Sequence, residues 1–315
     1  MSLKRRPIPP TIPAACLAAL LFVLTLTPTA GWACACGCGV FDVGTSSLFP
    51  GCKGGTAFVE VDYLDQTKNW SGTSQADPAN NDDKNVRSAF ILLGGQVMFN
   101  RSWGAMVELP VTSRHFVTAD SGAPQAFDHT AFGDVRLMGM YTGLSKDMST
   151  GLMFGVKLPT GDYTYPNFDR DVGIGTGTTD LILGGYHLGA ITKDATFTYF
   201  GQATWQHALN YRAGYRPGDD FNGAFGVYYE PGQVGDKLTL VPVLQLIASH
   251  RNRDSGPQAD PDNTGYSRLL IAPGVEVKAA SWKLYGDVEL PIYQRVNGDQ
   301  LVAPALFKLI LSRSF

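Results

Sequence analysis

The residues best equipped for chemistry are four cysteines in one short run, CACGCGVFDVGTSSLFPGCKGG, at Cys34, Cys36, Cys38 and Cys52. Apart from Cys16 they are the only cysteines in the chain. Alternate cysteines on a glycine-rich backbone can turn several sulfurs toward one ion, and thiolates select soft metals, so Cu(I) or Zn is one expectation. One or two disulfides are the other, because an oxidising compartment pairs neighbouring thiols. No histidine lies in the run, and no Cys-x-x-Cys-His haem attachment site occurs.

A second set is charged. Glu60, Asp62, Glu108, Asp134, Arg136, Lys157, Asp180, Arg268, Glu276, Lys278, Asp287, Glu289 and Lys308 share one parity of strand-like segments, with apolar side chains on the other. In a dry core, two carboxylates on the buried parity, such as Glu60 and Asp62, would be intolerable, whereas in a wet lumen they cost little. Both signs occur on neighbouring segments. They read either as ion pairs holding a narrow barrel shut or as the lining of a selective pore.

Catalytic constellations are weaker. The histidines are His115, His129, His187, His207 and His250. Adjacent Ser249 and His250 point to opposite faces of a strand, and neither a Gly-x-Ser-x-Gly elbow nor a His-Glu-x-x-His helix exists. The glycine run from Gly173 to Gly177 lacks a Gly-Lys-Ser/Thr ending and no helix pattern follows, so a flexible external loop is expected there rather than a phosphate cradle. We therefore expect no enzyme.

These side chains need a scaffold that keeps one parity wet, and the carboxyl end supplies its pattern. Phe307, Leu309, Leu311 and Phe315 alternate with Lys308, Ser312 and Ser314, which is strand period ending on an aromatic residue. The expected role is the closing strand of an outer-membrane barrel, with outward residues in lipid and inward residues in a polar lumen; the alternative from this stretch alone is the edge strand of a soluble sandwich. Similar alternation recurs at Thr56–Leu64, Ser88–Asn100, Trp103–Phe116, Phe132–Tyr141, Gly151–Leu158, Asp180–Leu188, Ala195–Gln206, Phe221–Tyr229, Leu238–Ser249, Tyr266–Lys278, Trp282–Arg295 and Leu301–Phe315. The expected fold is a closed antiparallel transmembrane up-and-down β-barrel of about 12 strands.

Connections alternate in length. Long polar ones such as QTKNWSGTSQADPANNDDKNV, VTADSGAPQAFDHT and RNRDSGPQADPDNTG follow odd strands, and short ones such as NRS and LSKDMS follow even strands. Short periplasmic turns and long external loops produce this order, which places both termini in the periplasm. The exception is the short eleventh connection from Val296 to Gln300. Phe99, Trp103, Tyr141, Trp282 and Phe315 gather near the short turns, and Tyr63, Phe116, Trp205 and Tyr293 near the long loops, as two belts at the lipid boundaries. Val107-Glu108-Leu109-Pro110, Val156-Lys157-Leu158-Pro159 and Val288-Glu289-Leu290-Pro291 repeat one local pattern, whose prolines predict a bulge or bend as each strand leaves the membrane.

Upstream, Lys4, Arg5 and Arg6 precede an apolar run from Ala14 to Leu26 that is too short for a membrane helix and reads as a secretory signal. Cleavage after Ala33 or after Ala35 fits the small-residue rule, the latter leaving three of the four cysteines. The expected organisation is a signal at 1–33, a periplasmic cysteine segment at 34–55 and a barrel at 56–315. Loss of the three basic residues takes the formal net charge from -3 to -6, which argues against a nucleic-acid partner.

Phe132-Gly133-Asp134-Val135, the segment from Gly155 through Pro159-Thr160-Gly161 to Asp162, and the segment from Gly173 to Asp180 resemble, in order and spacing, the outer-membrane family named for the meta-cleavage pathway of phenol degradation. That family looks related to the long-chain fatty-acid transporters of the outer membrane. The resemblance implies a barrel in outer-membrane lipid passing a small hydrophobic or aromatic molecule. The second reading is a structural or partner-docking barrel with a closed lumen, whose cysteine segment meets a periplasmic redox or metal protein.

Overall fold

In β1 (Gly54–Gln66), Val59, Val61 and Tyr63 are exposed at 38%, 36% and 38%, while Phe58, Glu60, Asp62 and Leu64 are buried. Burial here is inverted relative to a water-soluble sheet. The apolar parity faces outward, and the polar parity is enclosed. This computed structural model describes residues 49–50, 54–230 and 238–315, so Cys34, Cys36, Cys38, Cys52 and the signal-like segment lie outside the described residues.

After β1 come β2 (Lys68–Gly72), β3 (Ser74–Gln75), β4 (Asp83–Met98), β5 (Trp103–Thr118), β6 (Gln125–Phe132), β7 (Arg136–Tyr141) and β8 (Thr150–Lys157). β9 (Asp180–Ala190), β10 (Phe197–Ala208), β11 (Asp220–Tyr229), β12 (Thr239–Arg251), β13 (Tyr266–Ala279), β14 (Trp282–Val302) and β15 (Leu306–Ser314) complete them. Pairing is antiparallel throughout and follows chain order around the wall. β15 then returns to β1, with Thr56 facing Ser314 and Leu64 facing Leu306. Closure pairs the wall with itself, the condition for strands to stand in hydrocarbon, and the free edges belong to β3 and β6, which pair only β2 and β5.

Among the described residues these stretches form twelve staves, with β3 outside them and paired only to β2. β2 carries β1 upward. β6 and β7 are one stave broken at residues 133–135, since β5 pairs with β6 through Val111 and with β7 from Glu108. β14 contains a reversal. Trp282 faces Arg313 and Glu289 faces Leu306, and the same register carried upward sets Val296 opposite Asp299. Asn297 and Gly298 (φ 57°) then form a two-residue hairpin turn, and the far end of β14 belongs to the last stave, where Val302 pairs with Lys68. The short eleventh connection is therefore a true turn. At the opposite end, Asn100 Oδ1 accepts from the Ser102 and Trp103 amides at 2.8 and 3.0 Å and fixes the turn between β4 and β5.

The proline pattern marks departures of three kinds. Pro110 stands where its partner stave breaks and accepts the Gly133 amide at 2.8 Å, β8 ends just before Pro159, and Pro291 borders a register shift between Leu269 and Leu270.

Three expectations are corrected. The fourth stave begins at Gln125, not Phe132, so much of the expected polar connection is strand paired with Val111–Thr118. Strand pairing continues through polar residues wherever partners remain in register. Phe116 is no belt residue: it is 1% exposed, on the inward parity, and packs with Val86, Val172 and Leu301. Finally, the glycine run is not a free external loop, because Gly175, Gly177 and Thr178 are buried. Among the other belt aromatics, Phe99, Trp103, Trp282 and Phe315 are 64%, 49%, 45% and 74% exposed at the end holding the termini, and Tyr63 and Tyr293 are exposed toward the other.

Candidate functional site: the barrel interior

The interior is unevenly filled. On the side of β10 to β15, inward Phe200, Tyr228, Val241, Val243, Ile247, Leu270, Tyr285 and Ile310 pack with Phe58 of β1 into one apolar mass. Narrow barrels fill with side chains in this way. The wall from β4 to β10 stays more open and borders two cavities.

The cavity nearer the termini, within an envelope of about 760 Å³ that includes space open to solvent, is lined by Leu92, Met106, Met138, Met140, Met153, Ile182 and Tyr186, with Gln96, Glu108, Gln202 and Thr204 among its polar residues. Phe49, from the chain preceding the barrel, enters it and stacks on Tyr186 with centroids 4.4 Å apart and planes 5° from parallel. The second cavity, within an envelope of about 1070 Å³ that includes space open to solvent, lies toward the far end and has Arg114, Asp134, Lys157, Arg170, Asp171 and Arg251 in its lining. Glu60, Leu92, Arg136 and Gln206 line both, so the cavities adjoin across a charged belt.

The belt is made of cross-strand ion pairs. Lys308, 4% exposed, reaches Glu60 at 3.1 Å and Asp62 at 4.0 Å, and in register it stands between Asp62 and Asp287. Glu289 is fully enclosed one inward step above Asp287, whose carboxylate accepts from Gln245 Nε2 at 3.2 Å. Arg136 approaches Glu108 at 3.8 Å. Lys157 bridges Asp134 at 3.1 Å and Asp180 at 2.9 Å. Arg268 lies over the Tyr266 ring at 3.9 Å from its centroid. Buried Glu276 meets Lys278 at 3.6 Å, and half-buried Lys278 also meets Glu230 at 3.0 Å. The thirteen charged residues read from the sequence as one parity lie on inward-facing positions, most of them in pairs. Ser249, by contrast, faces in and bonds Asn222, while His250 faces out and contacts Ser267 at 2.8 Å.

Residues 158–179, between β8 and β9, fold into the far mouth and roof the second cavity. Three glycines from separate segments allow the approach. A Cβ on Gly161 would lie 2.8 Å from the Gly133 carbonyl carbon, and one on Gly175 would lie 2.7 Å from that of Gly161. Only bare backbone fits such a stack. Asp134 ties it together: its carboxylate accepts from the Gly161 amide at 2.9 Å, from the Thr176 amide at 3.0 Å, from the Thr176 hydroxyl at 3.1 Å and from Lys157. Arg114, which the sequence reading passed over, holds the loop by donating to the carbonyls of Val172 and, at 3.1 Å, Gly173. Its signal was available, since it shares the inward parity of β5 with Thr112.

The loop carries two awkward carboxyls. Burial, reinforced by Asp120 and Asp260, pushes Asp169 up to about 6. Asp171 rises to about 7, chiefly through burial and then through Asp254, and its Oδ2 is sealed from solvent. Between them, Arg170 lies over the rings of Tyr163 and Tyr215 at 5.0 and 4.9 Å and so knits the loop to residues 209–219.

No family model matches the chain, and no curated protein matches it in sequence, so the resemblance to the phenol-degradation family rests on its motifs. In fold, the chain is similar to the COG4313 outer membrane channel from Pseudomonas putida F1, at 13% identity over 87% of this chain and 100% of that one, with a TM-score of 0.63. Weaker likenesses include the β domain of the Bordetella autotransporter Brka, at 10% identity over 84% of this chain and 100% of that one, with a TM-score of 0.48. The P. putida toluene transporter TodX gives 11% identity over 86% of this chain and 92% of that one, with a TM-score of 0.40.

Proposed function

We propose that this chain is a channel of the Gram-negative outer membrane, with both termini in the periplasm, that admits a small, largely apolar molecule. The observation that carries the reading is the sequence of environments inside the cylinder: a charged vestibule under the inward loop, a belt of ion pairs, then a chamber nearer the termini with methionines and other apolar side chains in its wall. The last chamber sets Leu92, Ile182, Tyr186 and four methionines beside a few polar side chains, and a small hydrocarbon or aromatic molecule is desolvated against them. The shared fold with a protein described as an outer membrane channel is consistent with this, and the outward apolar parity suits lipid.

A second reading, a closed barrel that docks a periplasmic partner, draws on the paired belt and the pinned loop. Two assays on purified protein separate them. Liposomes bearing the barrel should take up a small aromatic probe faster than bare liposomes, and planar bilayers should show at least a small ionic conductance. Bilayers that stay silent over many insertions, with probe uptake at the bare-liposome rate, would leave only the closed barrel.

A further inference from the structure

Every methionine other than Met1 falls at Met98, Met106, Met138, Met140, Met148 or Met153, and the long remainder of the barrel has none. Methionine commonly serves as an adaptable core filler. That role explains neither the confinement nor the placement. The facing inner wall fills the same kind of position with Val241, Val243, Ile247 and Leu270, so packing demand alone does not select a thioether.

The register gathers these residues into a patch. Met98 on β4 faces Gly104 on β5, Gly104 faces Met140 on β7, and Met140 faces Met153 on β8, which makes one transverse row of inward positions. One inward step away, Met106 faces Met138. Met98, Met140, Met148 and Met153 are 5%, 1%, 4% and 6% exposed and pack together, with Met106 against them. Gly104 makes room for this: a Cβ there would lie 2.3 Å from Met98 Sδ and 3.2 Å from Met140 Cε, so two thioether arms close over one bare backbone. Met106, Met138, Met140 and Met153 also line the chamber nearer the termini, which gives the patch an open side. Gly54, where the described barrel begins, faces Met98, and in sequence Cys52 stands two residues before it.

We propose that this patch is a binding site for a soft monovalent d10 cation, Cu(I) or Ag(I), held by the thioethers of Met98, Met140 and Met153 with Met106 and Met148 in reserve. Thioether sulfur is neutral and polarisable, so it ligates soft cations and leaves hard ones to water and carboxylates. The site is independent of what the channel passes, and it needs no contribution from the cysteines.

The test uses silver nitrate on the detergent-purified full chain in which Cys16, Cys34, Cys36, Cys38 and Cys52 are all replaced by Ser, so that thioethers are the only sulfur ligands left. After desalting, about one silver ion per folded chain should remain, and changing Met98, Met140 and Met153 together to Leu should weaken binding by about tenfold or more. Heat-modifiable migration checks that each variant is folded. A cysteine-free protein that retains no silver, or a folded leucine variant that binds as tightly, overturns the site. Should the leucine variant not fold, oxidation of the cysteine-free protein by hydrogen peroxide, followed residue by residue by mass spectrometry, decides instead. Silver should slow oxidation of Met98, Met140 and Met153, and unchanged rates overturn the proposal.

Discussion

At the scale of single residues, Asp134 shows how much one buried charge can organise. Its carboxylate receives a lysine, two backbone amides and a hydroxyl from three separate segments. A buried hydrogen bond to a charged group contributes about 1.5–3 kcal/mol. Asp134→Asn keeps the volume, leaves Lys157 paired with Asp180 at 2.9 Å and takes the carboxylate away from the two loop amides. We expect residues 158–179 to open on the order of 100-fold more often, near the upper end of that range. Arg170 provides the readout, since trypsin should cleave after it readily in the variant and slowly in the parent. Equal cleavage rates would mean that the glycine stack holds the loop without the carboxylate.

At the scale of elements, the strands were legible in the chain and the inward loop was not, and the physical reason differs. Alternation of Val59, Val61 and Tyr63 with Glu60 and Asp62 is set by the pleat itself, so a few residues suffice to read it. The closeness of Gly133, Gly161 and Gly175 comes from tertiary packing among distant segments. Each glycine alone signals only a turn. The same gap explains why Phe116 was misplaced, since an aromatic near a strand end joins a lipid belt on one parity and a packed interior on the other. The methionine patch had a visible trace in its confinement to residues 98–153, but only the register turns that into adjacency. The loop also carries a pH dependence. Asp169 and Asp171 titrate at about 6 and about 7 when docked, whereas a released carboxyl titrates near ~3.9. Between those values the docked loop binds more protons than the released one, so docking is strongest in acid and weakens as pH rises through 6 and 7. Conductance or probe uptake should therefore be greater at about pH 8 than at about pH 5. The double variant Asp169→Asn, Asp171→Asn should remain low at both. A parent protein more open in acid would reverse the sign and remove these two groups as its cause.

At the scale of the whole molecule, one arrangement carries the membrane assignment: the apolar parity forms a continuous outer surface while the charged parity is enclosed. Leu309 tests it well. It is 49% exposed, and its lateral partners are Val61 and Gly286, midway along their staves. If that surface stands in hydrocarbon, Leu309→Arg places a cation near the bilayer midplane and should lower folding stability in lipid by about 2–4 kcal/mol. The same change at Trp282, beside the termini, should cost about 0–1 kcal/mol, since the penalty fades toward the interface. Were the surface in water, both would fall within about 0.5 kcal/mol, the usual range for an exposed position. Reversible urea unfolding in phospholipid vesicles measures the difference directly. A depth-dependent cost identifies the solvent as lipid, and a flat, small one would return the sheet to water and take the proposed channel with it.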